Sequence, residues 1–249
     1  MTVPAAARTL DIIETFARER RPMSVSMLAK ATGMPLSSCH GLVKTLEARG
    51  YLMESKIQGG YYMTRLLGHL ARSIEQFDPL PDWIVPALAE MRDKCEETVV
   101  LAKLVGSSAT YLEVLESEQS IRFIVRVGDT RPLYASAVGK ALLGRMSDGE
   151  RDAMMASIRF ERRGKRSITS RAALLKDLEA SRARGWFMTS GEYFDDVSAV
   201  ADAMRIGNEY YAVAIAGPSS RIEPALERHV KLITAFCRNW RASFETHAG

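Results

Sequence analysis

The apolar residues of the first 50 positions recur at the three- and four-residue spacing that places side chains on one face of a helix. In the first such segment, from 6 to 18, the apolar face consists of Leu10, Ile13, Phe16 and Ala17. A second segment starts after Ser24, a residue type that caps helix N-termini, and ends at Gly33. A third starts at Pro35, which fits the first turn of a helix. The pattern predicts three helices with a sharp turn before the third.

After the third helix, the hydrophobic pattern changes to that of a β-hairpin. The short runs 51–54 and 61–64 flank a polar segment that contains two consecutive glycines. Three helices followed by a hairpin are the elements of a winged helix-turn-helix, in the order in which they occur there. We therefore assign residues 1–64 to a winged helix-turn-helix domain and residues 65–80 to a linker helix.

Residues 81–249 are predicted to form a second domain of α+β class. Strand-like runs occur between predicted helices at 98–105, 109–116, 121–127, 186–190, 198–206 and 210–218. In the run 121–127, apolar residues at every second position alternate with Arg122, Ile124 and Arg126, which favours a strand with one buried face. Because strands and helices do not alternate regularly, we expect a mostly antiparallel sheet.

The charge of the chain is concentrated at its N-terminus. Residues 1–72 contain ten Lys and Arg against five Asp and Glu, whereas the remaining 177 residues contain 24 against 25. A basic N-terminal domain favours a polyanionic partner such as double-stranded DNA. A solvated basic surface without a partner is the alternative on charge alone.

Other features of the sequence narrow the class of protein. No apolar run of about 18 residues occurs and the start of the chain lacks a signal-peptide core, so we expect a cytoplasmic protein without membrane contact. The cysteines Cys39, Cys95 and Cys237 are far apart and the four histidines are isolated, so we expect no cofactor and no metal. Cys39 and His40 point about 100° apart on a helix and no nucleophile elbow occurs, so we expect no enzymatic activity.

The third helix presents a small, polar face opposite its apolar face. Its core side consists of Cys39, Leu42, Val43 and Leu46, and its opposite side is centred on Ser37, Gly41 and Lys44. A DNA major groove admits a helix with such short side chains, and Lys56 and Gln58 in the hairpin would lie near the minor groove or phosphates. An exposed helix face without function is the alternative. The candidate DNA-binding residues are Ser24, Pro35, Ser37, Ser38, His40, Gly41, Lys44, Thr45, Lys56 and Gln58.

Three stretches of the chain resemble the IclR family of bacterial transcriptional regulators. They are ARTLDIIETFARERRPMSVSMLAKATGMPLSSCHGLVKTLEARGYL in the first domain, and VRVGDTRPLYASAVGKALLG and YYAVAIAGPSSRI in the second. The resemblance implies a winged helix domain, a linker helix and an effector-binding domain of GAF-like or profilin-like fold. It also implies homodimers or homotetramers on palindromic operators. The chain departs from the family at Gly41, where relatives usually have an arginine.

The resemblance places an effector site at the helix that begins near Ser136 and at the facing late strand. Free N–H groups at this helix start would attract a carboxylate; the alternative is that Gly139 and Lys140 only permit close helix packing. Relatives often have serines where this chain has Ala214 and Ala216, so we expect a more apolar pocket. The candidate effector-binding residues are Phe123, Gly128, Ser136, Ala137, Val138, Gly139, Met188, Ser198, Ala214 and Ala216.

The sequence thus predicts a ligand-responsive, DNA-binding transcriptional regulator. We expect a repressor that senses a small organic acid with an aromatic or partly hydrophobic body. Two alternatives remain open: a metabolite-binding module whose winged domain pairs with protein, and a hydrolase. The effector, the operator and the controlled genes cannot be derived from the sequence, and neither can the choice between dimer and tetramer.

Overall fold

The chain forms two compact units, Met1–Pro81 and Asp82–Gly249. The computed structural model describes residues 3–57, 59–75 and 80–247, and each unit is considered by itself. No helix in this described part of the chain is long and apolar enough to cross a membrane.

The first unit contains the predicted helices and hairpin. Its elements are α1 Pro4–Glu19, α2 Val25–Thr32, α3 Leu36–Ala48, β1 Leu52–Glu54, β2 Tyr61–Met63 and α4 Leu66–Glu75. Strands β1 and β2 pair antiparallel, and Met23, before α2, forms a backbone bridge to Tyr61 in β2. Gly33 ends α2 at a φ of 69°, a left-handed conformation that glycine adopts without strain. The unit therefore has the order and the turn of a helix-turn-helix followed by a wing.

The core of the first unit shows that the predicted face of α1 was partly wrong. Phe16 is buried as expected, but Leu10 is 57% exposed and Ala17 is exposed, whereas Ile12 is fully buried. Thr15 is also buried, beside Phe16 on the inner side of the helix. The core-facing side of α1 thus includes a polar residue, Thr15. A prediction based on apolar residues alone therefore selected an adjacent side of the helix.

The second unit is a six-stranded antiparallel sheet with helices on both faces. The strands are β3 Thr98–Val105, β4 Ser108–Leu115, β5 Thr130–Pro132, β6 Phe187–Ser190, β7 Val197–Ile206 and β8 Glu209–Pro218, in the order β5-β4-β3-β8-β7-β6. The helices are α5 Ile84–Cys95, α6 Ala137–Arg145, α7 Asp148–Ala156, α8 Arg171–Arg184, α9 Ser219–Ile222 and α10 Leu226–His247.

The two faces of the sheet have different cores, because successive strand residues point to opposite sides. One face carries mostly small side chains such as Ala102, Ala201 and Ala212, which join the hydrophobic cluster around α6 and α8. On the other face, α10 places Trp240 against Tyr211 of β8, with ring centroids 4.9 Å apart. The small residues leave room on the α6 face, and that is where a cavity forms.

The strand predicted at 121–127 is wrong. These residues form no ladder; β5 is instead the shorter segment Thr130–Pro132, which pairs with β4. Val125 is 4% exposed, but Ile121 is 74% and Val127 62% exposed, so the expected buried face is incomplete. The edge of β4 is already occupied at this point: the Tyr111 N–H donates to the Asp129 carbonyl and the Gly128 N–H donates to the Tyr111 carbonyl, so the preceding residues have no strand partner.

Candidate functional site

In the first unit, α3 presents most of the predicted DNA-binding residues on one exposed side. Cys39, Val43 and Leu46 are buried against the core, and the helix surface opposite them is open. The residues on or beside that surface are Pro35, Ser37, His40, Gly41, Lys44 and Thr45, all exposed, and Ser38, half-buried. The helix thus offers a continuous polar surface of small side chains.

Gly41 lies on this surface without any packing constraint. A Cβ atom built on Gly41 meets no other atom within 4 Å, and the backbone is ordinary helix. Thr45 donates a hydrogen bond of 2.9 Å from its Oγ1 to the Gly41 carbonyl. Folding therefore does not require a glycine at this position. Because glycine has no side chain, the helix backbone itself is accessible here.

Lys44 is engaged within the first unit. Its Nζ lies 2.8 Å from Oε2 of Glu47 and 5.6 Å from the centroid of the Tyr61 ring. The Glu47 carboxylate holds the pKa of Lys44 above its usual value, so the side chain stays charged. A phosphate approaching α3 would therefore compete with Glu47 for this ammonium group.

The remaining predicted DNA-binding residues differ in their structural surroundings. The Ser24 hydroxyl accepts a hydrogen bond of 3.3 Å from the Met27 N–H and so caps α2. Lys56 is exposed in the wing, and Gln58 lies outside the described residues. Ile57, which the sequence pattern did not single out, is 97% exposed beside Lys56.

In the second unit, a cleft of about 470 Å³, including its open mouth, lies between the sheet and the start of α6. It is lined by Val100, Tyr111, Phe123, Arg131, Ala135, Ser136, Ala137, Val138, Thr189, Tyr193, Phe194, Val197, Ala199, Ala214 and Ala216. The structure thus brings together six predicted effector-binding residues: Phe123, Ser136, Ala137, Val138, Ala214 and Ala216.

The other four predicted effector-binding residues do not line the cleft. Gly128 forms an exposed turn with a φ of 87°. A Cβ on Gly139 would lie 2.4 Å from the Leu133 Cα, so this glycine permits close packing of α6, the alternative that its sequence position left open. Met188 and Ser198 point to the other face of their strands, since a shift of one residue reverses the side of a strand.

The first turn of α6 contributes backbone groups to the cleft. The Ser136 hydroxyl accepts a hydrogen bond from the Gly139 N–H (3.1 Å) and donates one to the Pro132 carbonyl (2.9 Å). This hydroxyl is therefore occupied as the helix cap. The N–H groups of Ala137 and Val138 have no acceptor in the described part of the chain, as expected for the first turn of a helix.

Arg131 places a cation in this mostly apolar cleft. Its guanidinium carbon lies 5.3 Å from the ring centroid of Tyr111 and 5.4 Å from that of Tyr193. Its nearest carboxylate is that of Asp129, at 3.5 Å, and its Nη1 donates to the Thr130 carbonyl at 2.9 Å. The side chain is only 14% exposed. Sequence reasoning missed Arg131 because it sought positive potential at the helix start.

Burial also affects the ionisation of Tyr111, the aromatic partner of Arg131. Desolvation raises the pKa of the Tyr111 hydroxyl to about 12, so the phenol stays neutral and able to donate a hydrogen bond. Because the phenol is neutral, the guanidinium of Arg131 has no phenolate counter-charge beside it.

Lys140, in the motif that the sequence singled out, does not reach the cleft. It is fully buried, with its Nζ 2.6 Å from Oε1 of Glu192 and 3.1 Å from Oδ2 of Asp177. Burial raises the pKa of Glu192 despite the adjacent ammonium group. This ionic cluster joins α6 to the residue preceding Tyr193, and so fixes one wall of the cleft.

Comparison with known proteins places both units in one family. The family model "IclR helix-turn-helix domain" matches residues 5–55, and "Bacterial transcriptional regulator IclR C-terminal" matches residues 80–239. The HTH-type transcriptional regulator TtgV of Pseudomonas putida is 28% identical over 220 residues, which are 88% of this chain and 83% of TtgV.

Solved structures share the fold. The crystal structure of Thermotoga maritima IclR matches with a TM-score of 0.79 and 22% identity, covering 94% of this chain and 95% of that one. An IclR homologue from Microbacterium hydrocarbonoxydans, crystallised with 4-hydroxybenzoate, matches with a TM-score of 0.65 and 21% identity over 96% and 99%. These matches confirm the α+β architecture with its helix-turn-helix domain. The chain belongs to the IclR family of helix-turn-helix transcriptional regulators, which are not enzymes.

Proposed function

We propose that this regulator is a repressor whose second unit binds a small carboxylate with an aromatic or largely apolar body. The observation that carries the proposal is Arg131, a nearly buried cation whose nearest carboxylate oxygen is at 3.5 Å, in a cleft with apolar walls. Binding of the acid weakens the complex between the first unit and its operator.

A ligand carboxylate would give Arg131 a second anionic partner beside its long, 3.5 Å ion pair with Asp129. Removing a charge from water is unfavourable unless an opposite charge and hydrogen bonds replace the water. The planar guanidinium matches a carboxylate with two parallel N–H···O bonds, and the rings of Tyr111 and Tyr193 hold its plane. The free N–H groups at the start of α6 add positive potential on the same cleft.

The rest of the cleft favours a flat apolar body. Ala199 and Ala216 face each other on adjacent strands and form a floor of small side chains. Phe123 and Phe194 form a wall, with ring centroids 6.1 Å apart. An aromatic ring would bury its faces against these groups. The 4-hydroxybenzoate bound to the Microbacterium homologue belongs to this chemical class.

DNA binding is assigned to the exposed side of α3 and to the wing. A helix with short polar side chains can approach a major groove closely, and the excess of basic residues in this part of the chain attracts phosphates. A protein bound at a promoter excludes other proteins from the same DNA. Repression that an acid relieves is therefore the simplest outcome of such a regulator.

The test uses fluorescence anisotropy on the DNA upstream of the protein's own gene, with benzoate and 4-hydroxybenzoate as ligands. We expect sequence-dependent binding that an acid weakens at least about tenfold. Arg131→Gln should bind the DNA but need about ten- to hundredfold more acid, because hydrogen bonds to a charged group are lost. Arg126→Gln, at an exposed arginine outside the cleft, is the matched control and should respond like the wild type.

Three results would overturn this assignment. Absence of sequence-dependent DNA binding would favour a module whose winged domain pairs with protein. An unchanged acid response in Arg131→Gln would remove Arg131 from the ligand site. Tighter DNA binding in the presence of the acid would contradict relief of repression.

A further inference from the structure

The connection between α7 and α8 is a strongly basic surface loop in a part of the chain that is otherwise acidic. Residues 159–166, called the basic loop below, contain five Lys and Arg against one Glu, whereas the other residues from 73 to 249 contain 19 against 24. All five basic side chains are exposed. Charge of one sign that is concentrated on one surface favours a partner of the opposite charge.

Backbone contacts hold the basic loop in place. The N–H groups of Gly164 and Arg166 donate to the carbonyls of Glu192 and Gly191, at 2.9 and 3.0 Å. A Cβ on Gly164 would lie 2.4 Å from the Gly191 carbonyl oxygen, so this close approach requires a glycine. The loop therefore presents its side chains from a fixed backbone, which lowers the entropy lost when they bind a partner.

Only two of the five cations in the basic loop are balanced by a carboxylate. Arg163 pairs with Glu161 at 2.9 Å, and Lys165 pairs with Asp195 at 3.2 Å. In the described part of the chain, no carboxylate forms an ion pair with the other three, Arg159, Arg162 and Arg166. Two of these three donate a hydrogen bond to a neutral oxygen, at 3.3 and 3.2 Å. Three positive charges are thus available to an external anion.

The surroundings of these arginines favour a nucleic-acid backbone over a protein as the partner. Interfaces between proteins have large apolar or aromatic side chains at their centre. The large apolar residues of this connection, Ile158, Phe160 and Ile168, pack instead against the core around α6. Four of the five cations are arginines, whose planar guanidinium groups fit a phosphate with two hydrogen bonds. The phosphates of a duplex are therefore the polyanion that this surface fits best.

We propose that the basic loop is a second DNA-contact surface, which binds the phosphate backbone of the duplex without reading its sequence. The inference rests on the proposed function, since it requires a chain that binds DNA, and it assigns part of the affinity to the second unit. Phosphate contacts strengthen binding to every sequence by releasing condensed cations, and each one makes the affinity more dependent on salt. The loop adds affinity, whereas sequence preference stays with α3 and the wing.

The test is a salt titration of DNA binding by the full chain, measured by fluorescence anisotropy on the DNA upstream of its own gene and on unrelated DNA. The variant Arg159→Gln with Arg162→Gln removes two loop cations that lack an ion pair. We expect the slope of log Kd against log salt to fall by about 2 on both DNAs. We also expect binding to both to weaken by at least about tenfold near 0.1 M salt.

Two further double variants complete the test. Lys231→Gln with Arg238→Gln is the matched control, because both are exposed cations on α10 without an ion pair in the described range 80–247. It removes the same charge elsewhere in the second unit and should leave the slope unchanged. Arg159→Lys with Arg162→Lys keeps both charges in the loop and should retain most of the wild-type slope. Thermal melting establishes that each variant is folded.

The outcomes separate this inference from the proposed function. Absence of DNA binding by the wild type refutes the proposed function, and this inference with it. If the wild type binds DNA but the loop variant changes no more than the α10 control, only this inference fails, and the loop is solvated or meets an acidic protein. Weakening on the upstream DNA alone would also overturn it, because backbone contacts do not distinguish sequences.

Discussion

At the scale of single residues, Gly41 is the position that best tests the proposed DNA-binding side of α3. Glycine in a helix interior is less favourable than arginine by roughly 1 kcal/mol, and no neighbouring atom prevents a side chain there. We expect Gly41→Arg to raise the stability of the first unit by about this amount. We also expect it to strengthen non-specific DNA binding, because it adds a cation to the surface assigned to the groove.

Two measurements check the Gly41 prediction. Chemical denaturation gives the stability, and anisotropy titrations on operator and unrelated DNA give affinity and sequence preference. Gly149→Arg is the matched control, because Gly149 is also an exposed helical glycine with open space around it, but lies in the second unit. If Gly41→Arg changes DNA binding no more than Gly149→Arg does, this side of α3 does not meet the groove.

The cleft shows how far single residues could be predicted. The segment that contains Ser136 to Val138 was found because a helix start has a recognisable sequence pattern. Thr189 was missed in favour of Met188, since each face of the four-residue strand β6 carries one apolar and one polar residue, which gives no parity signal. Arg131 was missed for a second reason besides the attention to the helix start: its strand, β5, has three residues and ends in a proline, a residue that strand patterns disfavour.

At the scale of elements, the position of α6 depends on close approach of backbones. Gly139 allows α6 to contact Leu133, and Gly144 allows it to contact Phe187 on β6; a Cβ at either position would overlap its neighbour. The start of α6 was predictable, because Ser136 is a residue type that caps helix N-termini. The position of α6 on the cleft side of the sheet was not predictable. It depends on tertiary contacts, such as those of the buried Lys140, that a local sequence pattern does not contain.

The buried cluster of Lys140, Glu192 and Asp177 makes the stability of the second unit depend on pH. The pKa of Glu192 is raised above its ordinary value of 4.5, mainly by burial. A carboxyl whose folded pKa is raised binds protons more readily in the folded state. Its contribution to stability is therefore fully present below about 4.5 and is lost as pH rises through the folded pKa.

We therefore expect Glu192→Gln to change how stability varies with pH. Glutamine does not titrate, so the free energy of unfolding of the variant should improve relative to the wild type as pH increases from about 4.5 toward 7. Urea denaturation of both proteins across this range measures the difference. Asp195→Asn is the control, because Asp195 lies at the protein surface and the adjacent Lys165 lowers its pKa. A constant difference between wild type and Glu192→Gln would show that Glu192 titrates normally.

At the scale of the whole molecule, the division into two units separates operator recognition from binding of the acid. Apart from the basic loop, basic charge is concentrated in the unit assigned to operator recognition, and the cleft assigned to the acid lies in the other. The chain's three tryptophans, Trp83, Trp186 and Trp240, all belong to the second unit. Tryptophan fluorescence therefore reports the unfolding of the ligand-binding unit alone.

Because all three tryptophans lie in the second unit, the proposal that this unit binds the acid can be tested in the full chain. A ligand at about 100 times its dissociation constant stabilises the unit that binds it by about 2.7 kcal/mol. For a unit of this size we expect 4-hydroxybenzoate to raise the tryptophan melting temperature by roughly 5–10 °C, with excitation at the red edge of the indole band. Operator DNA should shift this transition less, because most of its contacts are assigned to the other unit. Arg131→Gln, which needs about ten- to hundredfold more acid, should shift by about half as much as the wild type or less at the same acid concentration, whereas an equal shift in this variant would place the acid elsewhere.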